Sequence, residues 1–64
     1  MRFPNIAAEC ARRNMTYDAL AGVLGVTRKT IYNWAASGHI PQSAIDKMTD
    51  LFGVSEEYLR VVEE

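Results

Sequence analysis

Residues 27–36, TRKTIYNWAA, decide how this chain of 64 residues folds, because they sort onto two opposite faces of one helix. At about 100° per residue, Arg28, Lys29, Tyr32, Asn33 and Ala36 fall within an arc of roughly 140°. All but Ala36 carry groups that hydrogen-bond. Thr30, Ile31, Trp34 and Ala35 fill the other arc, and Trp34 beside Ile31 reads as a core anchor. The helix is expected over residues 28–36, with Thr27 as its N-cap.

Upstream, Gly25 breaks a shorter helix capped by Thr16, with Asp18 in its first turn to suit the positive end of the helix dipole. Leu20, Ala21 and Leu24 form its buried stripe, while Gly22 within it costs about 1 kcal/mol relative to alanine. Two helices joined across only Gly25, Val26 and Thr27 cannot lie antiparallel, so they cross steeply, as in a helix-turn-helix. Before them a first helix runs from Pro4 or Asn5 to Arg13. Ile6, Ala7, Cys10 and Ala11 share its apolar face and Glu9, Arg12 and Arg13 its solvated face, and Asn14 ends it in a left-handed conformation. Downstream, Ser37 to Pro41 is loop by composition. A fourth helix follows over residues 42–52, burying Ala44, Ile45, Met48, Leu51 and Phe52, with Gly53 ending it. Ser55 caps a fifth helix with Glu56 and Glu57 in its first turn and Leu59 and Val62 closing the core. The fold class is therefore all-α, a compact bundle of about five short helices in a single domain, residues 1–64.

The face of 28–36 offers a guanidinium, an ammonium, a carboxamide and a phenol, the equipment for reading a DNA groove. Net charge is −1, against the usual basic footprint of nucleic-acid binders, but its distribution is uneven. Residues 1–34 carry five cations and two acids, a balance of +3, and residues 35–64 carry two cations and six acids, a balance of −4. The positive half holds the candidate reading helix and orients it toward a polyanion. With one histidine and one cysteine, no glycine-rich phosphate loop and no clustered metal ligands, neither a catalytic triad nor a metal site can be assembled. No enzyme activity, cofactor or small-molecule substrate is expected. Cys10 reads as a packed thiol. No run approaches the roughly 20 apolar residues of a membrane span, and no signal-peptide pattern stands at Met1, so a cytoplasmic location is expected.

The ordered set of small and apolar positions in TYDALAGVLGVTRKTIYNW (residues 16–34), with Pro41 and the ending LFGVSEEYL (residues 51–59), resembles the Cro/C1-type, phage repressor-like (XRE family) helix-turn-helix proteins. The similarity runs roughly from Ile6 to Leu59. Tyr17 stands where many members have a glutamine that braces a phosphate and the reading helix, and Ala35 replaces a frequently acidic position. The resemblance implies a lambda repressor-like fold and a transcriptional regulator, a repressor in the expected case, that binds an operator in double-stranded DNA, as a homodimer at least on DNA.

Each candidate DNA-binding residue then has a role. Arg28 suits a bidentate contact to guanine, Lys29 guanine or a phosphate, and Asn33 adenine or a phosphate. Tyr32 suits a thymine methyl or a phosphate oxygen, and Thr27 combines capping with a phosphate contact. Thr16 and Tyr17 are either phosphate contacts or plain surface. Ser37 and His39 can touch the sugar-phosphate edge, and for His39 a solvated loop residue is the simpler reading. Arg12 and Arg13 are phosphate contacts or solvated charges. Tyr58, Val61 and Val62 are candidates for a dimer surface. The alternative function is a protein-interaction or antitoxin-type module working through its acidic fourth and fifth helices. Either a complete Cro-like protein or the DNA-binding part of a longer repressor fits the length.

Overall fold

A computed structural model describes residues 2–62, which form five helices and, among the described residues, no strand: α1 (Pro4–Arg12), α2 (Tyr17–Leu24), α3 (Arg28–Ser37), α4 (Gln42–Phe52) and α5 (Glu56–Leu59). Three of them start on capping side chains. The hydroxyls of Thr16, Thr27 and Ser55 accept from the backbone N–H groups of Ala19, Thr30 and Tyr58 at 3.1, 3.2 and 3.2 Å. Each satisfies a first-turn donor that has no partner within its own helix.

The turn that sets the α2–α3 crossing is closed by backbone geometry. Gly25 has φ of 74°, its N–H reaches the Gly22 carbonyl, and the Val26 N–H reaches the Ala21 carbonyl at 2.9 Å. This pair of bonds is the Schellman end of a helix, and its left-handed residue favours glycine. Val26 packs half-buried against the core, and the chain re-enters a helix at Arg28.

The core gathers Ile6 and Cys10 of α1, Leu20, Ala21 and Leu24 of α2, Ile31 and Trp34 of α3, Ala44, Ile45, Met48 and Phe52 of α4 and Leu59 of α5. Two further members, Phe3 and Ile40, lie outside the helices and are fully buried, so no helical period marks them. Leu51 and Ala7 are only half-buried and Ala11 is exposed. Burial holds the Cys10 thiol above its ordinary pKa, and so in the unreactive protonated form.

Two expectations from periodicity are corrected. Val62 does not close the core: α5 is a single turn ending at Leu59, and Val62, beyond it in irregular backbone, is 42% exposed. Glu9 is not solvated either, being 1% exposed. Because α5 packs back on α1, the face of α1 that isolated periodicity gives to water is covered at Glu9, although Arg12 and Arg13 on it stay exposed. Glu9 Oε1 accepts from Arg13 at 2.7 Å, while Oε2 accepts from the Tyr58 hydroxyl at 3.0 Å and lies 3.0 Å from Arg12 Nη1. Arg13 in turn donates to the Phe52 carbonyl and stacks 4.8 Å above the Phe52 ring, so it is a brace between α1 and α4.

The hydrogen bond from Arg13, with help from Tyr58, Arg12 and the Arg13 charge, outweighs burial and lowers the Glu9 pKa. A carboxyl whose folded-state pKa is depressed contributes stability that is fully present above its unfolded value, about 4.3. That stability is lost as pH falls through the folded value. Thermal melts from pH 7 down to about pH 2.5 should therefore show a steep acid loss that Glu9→Gln, less stable at pH 7, shows only in part. Parallel losses in the two proteins would mean that Glu9 is not the linked group.

Candidate nucleic-acid interface

The outward face of α3 exists because its inward face is fixed. Ile31 and Trp34 are buried, which leaves Arg28, Lys29, Tyr32, Asn33 and Ala36 exposed. The helix is one residue longer than the sequence reading, ending at Ser37 before Gly38, which has φ of 75°. Ser37 is thus a helix residue, and its hydroxyl is engaged: it donates to the Trp34 carbonyl at 3.3 Å and accepts from the His39 N–H at 3.2 Å. His39 is exposed in the loop that follows.

At the other end of α3 the structure brings four of the candidates together. Thr16, Tyr17, Arg28 and Tyr32, with Asp18, Cys10, Ala11 and Met15, line an open cavity of about 410 Å³ between the first turns of α2 and α3. Tyr17 and Tyr32 meet edge to face with ring centres 6.0 Å apart, a favoured aromatic geometry. The Arg28 guanidinium lies 5.6 Å from the Tyr32 ring centre, and its Nη1 is 3.3 Å from Asp18 Oδ2. Burial, more than the neighbouring Cys10 and Tyr32, raises the Tyr17 pKa, so at neutral pH its phenol keeps a proton to donate.

Thr27 and Thr16 are exposed, but their hydroxyls already cap α3 and α2, and Thr27 also shares a hydrogen bond with the Thr30 hydroxyl at 3.0 Å. Lys29 and Asn33 sit one turn apart on the exposed face, clear of the cavity. Ser37 lies nine residues and about 13.5 Å from Arg28 along α3, and His39 follows it in the loop. The candidates therefore form one row along a helix with a cluster at its N-terminal end.

Arg2 was missed by sequence reasoning. Its Nη1 donates to the Ala36 carbonyl at 3.1 Å and passes beside Gly38, where an added Cβ would come within 3.3 Å of it. A cation on the last turn of α3 suits the negative end of the dipole, but no local pattern links residue 2 to residue 36. Two more such ties complete the scaffold. Lys47 of α4 donates to the Leu24 carbonyl at the end of α2. Arg60 joins Glu56, Gln42 and the Ile40 carbonyl, fastening α5 to the start of α4.

Five short helices, with α2 and α3 joined across only residues 25–27 and an outward polar face on the second of them, define a helix-turn-helix protein. A helix-turn-helix family model matches residues 6–59, and the chain belongs to that family, the Cro/C1-type (XRE) helix-turn-helix proteins, a family of DNA-binding regulators. Comparison with curated proteins and with solved structures gave no match. No helix among the described residues is long and apolar enough to cross a membrane.

Proposed function

We propose that this protein is a non-catalytic, cytoplasmic transcriptional regulator that binds an operator in double-stranded DNA through α3 in the major groove, and represses by excluding polymerase. The observation that carries the reading is the exposed row Arg28, Lys29, Tyr32 and Asn33 on a helix whose other side is locked into the core. In this reading Arg28, at the leading end, pairs with guanine. Lys29 and Asn33 take base or phosphate contacts, and Tyr32 lies against a thymine methyl or a phosphate. Thr27, Thr16, Tyr17, Ser37 and His39 border the sugar-phosphate edge. Hydroxyls already committed to caps can still accept or donate once more.

One copy covers only a few base pairs, and tight specific binding calls for two copies on half-sites about 34 Å apart. A body of 25 × 24 × 21 Å is narrower than that spacing, so two copies fit side by side on one face of the duplex. Selection of bound duplexes from a random pool tests the reading, and an enriched site with two-fold symmetry is the expected result. On that site Arg28→Ala should cost about 1–3 kcal/mol and relax the choice at one base pair. Equal losses on selected and random DNA would make Arg28 a phosphate contact. Failure to enrich any sequence at low salt and high protein concentration would overturn DNA binding.

A further inference from the structure

The arginine at the leading end of α3 is held from two sides. Its Nη1 is paired with Asp18 of α2, and its plane lies by Tyr32, which is itself buttressed by Tyr17. The side chains of Arg28 and Asp18 are 56% and 68% exposed, so the pair adds little to folding stability. Its position gives it another consequence. A carboxylate beside a phosphate-facing surface repels every duplex alike, whatever its sequence, because the phosphate charge carries no sequence information. The same carboxylate occupies one nitrogen of the guanidinium fork and, among the described residues, the Nη2 and Nε edge has no hydrogen-bond partner, while a guanine contact needs two donors in fixed geometry. A guanidinium held in this way gains little from a passing phosphate, for which it would have to leave Asp18.

We propose that Asp18 is a specificity-determining positioning residue that acts through Arg28, orienting its guanidinium for a base edge and weakening its attachment to the phosphates of random DNA. The inference rests on the DNA-binding reading above. It is tested by measuring Kd on the duplex enriched by the wild type and on a random duplex of equal length. The proteins compared are the wild type, Asp18→Asn, Asp18→Glu, Arg28→Ala and the double variant, with Asp50→Asn on exposed α4 surface as the control for net charge.

Asp18→Asn should bind the random duplex about two- to fivefold more tightly, the range in which exposed ion pairs act, with a smaller gain or a loss on the enriched duplex. The ratio of the two affinities falls, Asp18→Glu restores it, and in the Arg28→Ala background Asp18→Asn leaves it unchanged. Any loosening of the first turn of α2 lowers the folded fraction for both duplexes equally and drops out of the ratio. If Asp18→Asn strengthens both duplexes by the same factor, Asp18 is surface charge alone and the proposal is overturned. A wild type that enriches no duplex is a different result, which removes the DNA-binding reading and this inference together.

Discussion

Ile31→Ala should destabilise the protein by about 2–5 kcal/mol. Ile31 is 1% exposed and sits on the inward side of α3, with its backbone one residue from Tyr32 on the outward side. Truncation removes three carbons from the core, each worth about 0.8 kcal/mol in transfer free energy. A cavity term adds to this in so far as the surrounding side chains cannot close the gap. Alanine is the better helix former, but by only a few tenths of a kcal/mol, so the packing loss decides the sign. A domain of this size has total stability on the order of 3–10 kcal/mol, and each kcal/mol moves Tm by about 4–8 °C. A drop of more than about 10 °C is therefore expected. Lys29→Ala, on the exposed side of the same helix, should stay within about 0.5 kcal/mol of the wild type. A loss below about 1 kcal/mol at Ile31 would mean that α3 is not anchored where its burial places it.

The contrast between Ile31 and Lys29 is also where the sequence is most informative. Inside and outside of α3 follow from a 3.6-residue period, and the caps at Thr16, Thr27 and Ser55, like the left-handed Asn14 and Gly25, are set within a few residues of themselves. Such features are local and can be read without knowing what lies opposite. Glu9 could not be read in this way. It has the spacing of a solvated residue, and only the return of α5, bringing Tyr58 across 49 positions, turns that face inward. Phe3 and Ile40 have no helical period to betray them, and Arg2 reaches Ala36 across 34 positions. At the candidate interface the row of exposed side chains was legible, whereas the grip of Asp18 on Arg28 was not. Asp18 already had a sufficient local reason to stand in the first turn of α2, and the left-handed turn at Gly25 is what brings Arg28 back to it.

The salt dependence of DNA binding follows from the same long-range contacts. The N-terminal half of the sequence has five cations, but the structure commits several of them: Arg13 to Glu9 and Phe52, Arg2 to Ala36 and Arg28 to Asp18. That leaves Lys29 and the exposed Arg12, whose other neighbour is Glu9, so at most about two phosphate contacts per copy, or four for two copies on an operator, and a slope of log K against log salt of about −3.5. Between 50 and 200 mM salt the affinity for the enriched duplex should then fall by about 10²-fold. The overall charge of −1 does not prevent this, because α3 itself carries Arg28 and Lys29 and no acid, and repulsion from charges more than about 8–10 Å away is largely screened in this range. One copy acting alone would give about half the slope, so the same titration reports how many copies occupy the site. A module that works instead through a protein partner on an apolar surface releases few counterions and would bind that partner almost independently of salt. Duplex binding with a slope near zero would therefore move the working surface away from α3. A slope beyond about −8 would mean that Arg2, Arg13 or Arg28 leaves its partner in the fold for the DNA backbone.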